Sequence, residues 1–259
     1  MKIPLYQIDA FTGRVFSGNP AAVCPLEKWP EDSLLQAIAQ ENNLSETAFF
    51  IPAKQGYHLR WFTPVAEVDL CGHATLASAF VVFNHLDTSR TQVDFESRSG
   101  KLSVSLEGNL LSMDFPSQPP TPCDAPIELL EGLGEKPSGV LRSEDYFVLF
   151  SEEDVIRRLS PDMARLKRLN SRGIIVTARG QNADFVSRFF APKLGVDEDP
   201  VTGSAHCALT PYWAKELNKK ELYALQISRR GGELYCRDRG ERVTIAGRAV
   251  EYMKGVITI

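Results

Sequence analysis

Four short segments of this chain carry residue types that move protons on small polar molecules. The first is Cys71-Gly72-His73-Ala74-Thr75, which runs into the apolar stretch LASAFVVF. That stretch is apolar almost all round and reads as a buried helix. Gly72 just ahead of it lets backbone N–H groups approach a ligand closely. A helix N-terminus also offers unpaired donors and a partial positive charge, which suit a carboxylate. The plain structural reading of the same residues is a tight turn with His73 as a cap. The second segment, DEDPVTGSAHCAL (197–209), has the same order of parts but is more polar. Pro200 biases Asp199 toward extended backbone. Thr202 and Ser204 suit a helix cap or a ligand oxygen. An acidic cap alone, worth about 0.3–1 kcal/mol, is the competing reading. The third segment, NNLSETAFF (42–50), sets Ser45 and Glu46 directly before an apolar run. Desolvation there works against a charged carboxylate, as general acid–base chemistry requires. An exposed Glu at a strand start is the alternative. The fourth, SGNPAAV (17–23), is a turn signal in which Asn19 could line a site.

Two of these segments are copies of each other. RWFTPVAEVDLCGHATLA (60–77) and RFFAPKLGVDEDPVTGSAHCA (188–208) share Arg60/Arg188, Phe62/Phe190 and Pro64/Pro192. Val68-Asp69 aligns with Val196-Asp197, and after a three-residue insertion Gly72, Ala74 and Ala77 align with Gly203, Ala205 and Ala208. In the same comparison Ser45 pairs with Ser171 and Glu46 faces Arg172. The offset is close to half the chain, so the sequence predicts a doubled fold. The two Gly-containing turns are then expected to face one cleft, and positions where the copies differ are the first candidates for chemistry. A Pro-rich stretch at 118–126 reads as the linker. The expected halves are 1–117 and 127–259, with a C-terminal strand near 254–259 packing back onto the first. Each half has many strand-like runs, one amphipathic helix (31–41; 154–166) and one strongly apolar helix (74–83; 205–217). Helices are too few for a parallel α/β sheet. The expected class is α+β: two pseudo-symmetric halves, each a curled, mostly antiparallel sheet or barrel around a central helix.

Composition narrows the function. The chain has 259 residues, 43% hydrophobic, with a net charge of −4. No block of Lys or Arg offers a phosphate-backbone footprint, so no nucleic-acid partner is expected. No apolar run is long enough to span a bilayer, and the N-terminus lacks a signal-peptide pattern. The five cysteines are scattered without C-x-x-C, which points to a reducing cytoplasm. The four histidines show no ligand spacing and no Gly-rich nucleotide loop is present, so neither metal nor cofactor is expected.

GNPAAV, NLSETAFF, RWFTPVAEVDLCGHATLA, SRSGKL and DEDPVTGSAHCAL occur in an order that resembles the PhzF-like family of phenazine-biosynthesis proteins. The resemblance covers essentially the whole chain. It implies the diaminopimelate epimerase-like fold, an active site between two halves, a homodimer, and a small carboxylate-bearing substrate isomerised by proton transfer without a cofactor. By resemblance Glu46 is the acid/base, and His73, Asp199 and Ser204 are further polar site residues. Gly72 and Gly203 are donors to the substrate carboxylate, with Asn19 and Ser45 lining the site. Two rival readings are a two-base amino-acid epimerase or racemase and a non-catalytic binder. A two-thiol epimerase needs one thiol per half. Cys71 could supply one, but no Cys lies between Asp197 and His206, so Cys71 reads as a small buried residue.

Overall fold

The computed structural model describes residues 1–259. Alternating buried and exposed residues at the N-terminus build β1 (Lys2–Ala10), which pairs antiparallel with β2 (Asn19–Pro25). Helix α1 (Asp32–Asn42) then crosses to β3 (Glu46–Pro52), which lies parallel to β2. α1 buries Leu35, Ile38 and Ala39 against Ile3, Phe49 and Phe62. β4 (Tyr57–Phe62) returns antiparallel and pairs with β5 (Glu67–Val68). The apolar helix α2 (Gly72–Val81) leads through one π-helical turn to β6 (Gln92–Ser97), parallel to β4. β7 (Gly100–Glu107) and β8 (Leu110–Pro116) complete the meander. α2 is buried at His73 through Ala79 and packs against β1, β2 and β3, which makes it the core of this unit. Its buried hydroxyls are satisfied within the helix: Thr75 Oγ1 donates to the Cys71 carbonyl at 2.6 Å and Ser78 Oγ to the Ala74 carbonyl at 2.7 Å.

The second unit repeats this order. β9 (Thr121–Pro122), β10 (Gly139–Arg142) and β11 (Tyr146–Leu149) pair antiparallel, with α3 (Ile127–Leu133) between the first two. α4 (Glu153–Arg158) and α5 (Met163–Leu166) cross to β12 (Ile174–Arg179), parallel to β11. Sequence periodicity predicts one helix over 154–166; Ser160-Pro161 breaks it into two, because proline cannot continue the hydrogen-bond ladder. β13 (Phe185–Ala191) runs antiparallel to β12 and pairs with β14 (Val196–Asp199). α6 (His206–Leu217) leads to β15 (Glu221–Gln226), parallel to β13, and then β16 (Gly232–Asp238) and β17 (Arg242–Gly247). The last strand, β18 (Ala249–Thr258), rejoins β1. The chain therefore divides into Met1–Asp114 with Ala246–Ile259, and Phe115–Ile245.

These boundaries differ from the expected ones in two ways. The returning segment begins at Ala246 rather than near 254, because the whole of β18 pairs with β1. The Pro-rich stretch is part of the second unit. Thr121–Pro122 pair with Leu141–Arg142, and the Gln118 N–H donates to the Cys207 carbonyl at 2.9 Å. Pro211, inside α6, has no N–H for that carbonyl, so Gln118 supplies the missing donor.

Strand register also corrects the repeat. Trp61 pairs with Val68 and Phe62 with Glu67, whereas Phe189 pairs with Asp199. Arg60 forks onto Glu67 at 2.7 and 2.9 Å, and Arg188 forks onto Glu198 at 2.7 and 3.0 Å. Glu67 is thus equivalent to Glu198, and Val68 to Asp199. The three-residue insertion precedes Glu198, at the 3-10 turn Pro192–Leu194, not after Asp197. By the same logic Thr47–Phe62 matches Ile174–Phe190, so Glu46 is equivalent to Gly173 and Ser45 to Arg172. A Cβ at Gly173 would meet the Phe189 ring at 2.2 Å. The second unit has packed an aromatic ring where the first holds its carboxylate.

Candidate active site

In the first unit Glu46 opens β3 beside Ala21 of β2, and His73 sits in the first turn of α2. The two meet: His73 Nε2 lies 3.1 Å from Glu46 Oε2, close but not aligned as a full hydrogen bond. On the other side of the ring, His73 Nδ1 lies 3.5 Å from the Cys71 sulfur. His73 is only 6% exposed and Cys71 7%. Burial works against a charged imidazole, but the acidic groups at both ring nitrogens, Cys71 and Glu46, outweigh it and hold His73 well above 6.5. Desolvation, with the Glu46 carboxylate second, pushes the Cys71 thiol up to about 11. Cys71 is buried, as the sequence reading expects, and its sulfur also faces the His73 ring.

α2 starts at Gly72, so the amides of its first turn have no intrahelical carbonyl. The Ala74 N–H is directed at the Cys71 sulfur, and the Thr75 N–H bonds the Cys71 carbonyl at 3.1 Å. The amides of Gly72 and His73 likewise precede the helical ladder. Glu46, His73 and Cys71 form one chain of contacts, and two further sequence candidates stand beside it. Asn19, fully buried, begins β2 two residues before Ala21; Ser45 directly precedes Glu46 and is half-buried.

The donor atoms of Glu46, Cys71 and His73 lie within 4.8 Å of one another. One zinc-like ion could take all three only if the side chains re-aimed, because the two ring nitrogens face different partners. The arrangement suits proton transfer better, with the carboxylate at one ring nitrogen of the imidazole and the thiol at the other.

The second unit brings together Asp199, Gly203 and Ser204 around a different network. Thr202, equivalent to Cys71, donates its hydroxyl to Asp199 Oδ2 at 2.6 Å. The Gln226 amide clamps the loop, donating to the Asp199 carbonyl at 2.9 Å and accepting from the Thr202 N–H at 2.8 Å. The first helical bond of α6 runs from the His206 N–H to the Gly203 carbonyl, so the Gly203, Ser204 and Ala205 amides precede the ladder. Ser204, equivalent to His73, accepts from Arg172 Nη2 at 3.2 Å. Arg172 in turn forks onto Asp145, whose side chain is 3% exposed. Arg172, Asp145 and Gln226 are not legible in the sequence as site residues. Their only sequence signal is that Arg172 takes the place of Ser45 in the repeat, which needs the strand register to be seen. His206 is wholly buried, and desolvation lowers it to about 4.

Comparison with known proteins agrees with this anatomy. The family described as phenazine biosynthesis-like protein, PhzC-PhzF, matches residues 8–255. An uncharacterized isomerase of Pseudomonas aeruginosa is 55% identical over 257 residues, covering 99% of each chain. The crystal structure of a PhzF-family protein from Enterococcus faecalis has 46% identity and a TM-score of 0.98 over 100% of both chains. A predicted epimerase from Pseudomonas aeruginosa, at 19% identity and TM-score 0.78, covers 99% of each chain and shares the fold. With the repeated α+β units and these matches along its length, the chain belongs to the PhzC-PhzF family and has the diaminopimelate epimerase-like fold.

Proposed function

We propose that this protein is a cofactor-independent isomerase that moves a proton on a small carboxylate-bearing metabolite. The observation that carries the reading is the Glu46–His73 contact at 3.1 Å, set at the mouth of a buried helix. Glu46 takes the proton from carbon and returns it. His73 stabilises the carboxylate through Nε2 and shares the proton load. The amides of Gly72 and His73 in the first unit, and those of Gly203 and Ser204 in the second, each suit a carboxylate, where helix dipoles favour negative charge. Ser45 and Asn19 line the site of the first unit, and Asp199, held by Thr202, is the acid group of the second. The isomerase name of the Pseudomonas aeruginosa relative supports the reaction class. A two-thiol epimerase is disfavoured because Cys71's structural equivalent is Thr202. A twofold homodimer in the cytoplasm completes the proposal, closed twofold symmetry being the commonest oligomer.

The test is substrate-dependent deuterium exchange. A panel of small unsaturated and α-amino carboxylic acids is incubated with the protein in deuterated water and followed by mass spectrometry. At least one acid is expected to gain deuterium. Glu46→Gln keeps the shape but cannot exchange a proton, so it should lose at least about 10²-fold in rate with ligand binding nearly intact. An active Glu46→Gln protein, or no exchange with any acid that binds, sinks the reading.

A further inference from the structure

Proton transfer by Glu46 and His73 does not account for the buried thiol of Cys71, which lies 3.5 Å from His73 Nδ1. A ring that exchanges a proton through Nε2 keeps its Nδ1 proton throughout. As imidazolium, and as the neutral ring left when Nε2 has given up its proton, it presents an N–H at Nδ1 and needs an acceptor there. The other neutral tautomer, already protonated at Nε2, cannot take a proton at that nitrogen. A buried polar atom left unmatched costs about 1–3 kcal/mol, so an acceptor beside Nδ1 favours the two productive states over the idle tautomer. The sulfur of a thiol is a weak acceptor and fills that role.

The sulfur is well placed to stay put. Cys71 is the residue before α2, and the Ala74 N–H points at its sulfur. The titratable groups acting on His73 are Cys71, from this turn, and Glu46, from β3.

We propose that Cys71 is a positioning residue whose thiol holds the His73 ring against Glu46 in both protonation states. The proposal rests on the Glu46–His73 reading, but its first test needs no substrate. The probe is the ring ¹⁵N resonances of His73 in labelled protein, assigned with His73→Gln, and followed as pH is raised. Wild type and Cys71→Ser should show one dominant neutral tautomer, protonated at Nδ1, and similar titration midpoints, since a hydroxyl oxygen also accepts. Cys71→Ala should show mixed tautomers and a midpoint moved by at least about half a pH unit. Cys71→Val, which fills the space without an acceptor atom, should match alanine and replaces it if alanine does not fold. On an acid identified by deuterium exchange, Cys71→Ala should lose about tenfold in kcat with KM unchanged, and Cys71→Ser should restore most of it. Unchanged His73 resonances in both Cys71→Ala and Cys71→Val would overturn the proposal, as would a serine variant behaving like alanine. Failure of the Glu46–His73 reading is separate: it shows as an active Glu46→Gln protein.

Discussion

Arg172 and Asp145 show how a single pair can be structural and still shape a site. Asp145 is almost fully buried and accepts a bidentate fork from Arg172, which also reaches Ser204. Removing one member of a buried ion pair strands the other charge, at about 3–5 kcal/mol, while removing both costs less. Arg172→Met and Asp145→Ala should therefore each destabilise strongly, and the double variant should be less unstable than their sum by at least about 2 kcal/mol. Urea unfolding of the four proteins measures this coupling; additive effects would mean the pair contributes little. Thiol chemistry at residue scale is also predictable. Burial pushes Cys24, Cys207 and Cys236 up to about 12, so in the folded protein they should label with alkylating reagents far more slowly than the less buried Cys123. Mass spectrometry of briefly alkylated protein reads the order directly.

At the scale of elements, the repeat is a shared frame on which different residues were set. Both units cross through helices between parallel strand pairs, and both anchor their short β5 or β14 strand with an Arg–Glu fork. They differ at the strand start, where Glu46 stands opposite Gly173. Gly173→Ala should cost about 1–3 kcal/mol, because its Cβ collides with the core ring of Phe189. Thermal unfolding followed by fluorescence checks this, with Trp213 reporting the second unit through its stack on Phe185 at 5.8 Å. A Gly203→Val variant addresses the helix mouth instead. It should stay folded and lose affinity for any acid found by exchange, and unchanged affinity would remove Gly203 from the site.

For the whole molecule, acid stability should depend on His206. Its Nδ1 lies 2.8 Å from the Thr202 carbonyl, its Nε2 faces no partner, and burial lowers it to about 4. The unfolded chain binds a proton near the ordinary 6.5, before the folded protein does. The stabilising contribution is therefore present above about 6.5 and lost as pH falls through about 4, up to about 3 kcal/mol. Urea titrations at neutral and acidic pH should show a smaller loss in His206→Gln than in wild type. An equal loss would place the acid sensitivity elsewhere. Light scattering at micromolar concentration tests the proposed homodimer, and a clean monomer mass contradicts it. No helix is long and apolar enough to cross a membrane.

The sequence by itself determined the doubling, the α+β class, the buried helix α2 and the candidacy of Glu46 and His73. Those features rest on local signals: apolar periodicity, Gly-containing turns and the repeat of Arg-x-Phe-x-Pro. Tertiary structure decided which residues are equivalent between the copies. A one-dimensional alignment can slide an insertion along a loop at no penalty, whereas cross-strand pairing fixes Glu67 with Glu198 and Glu46 with Gly173. It also decided what touches what. Arg172 reaches Ser204 across 32 positions of chain, and the Pro-rich stretch meets α6 where Pro211 leaves a carbonyl free. Cys71 stands two residues from His73 in the sequence, but only the helix start, which turns the ring back toward the sulfur and across to β3, makes the two partners.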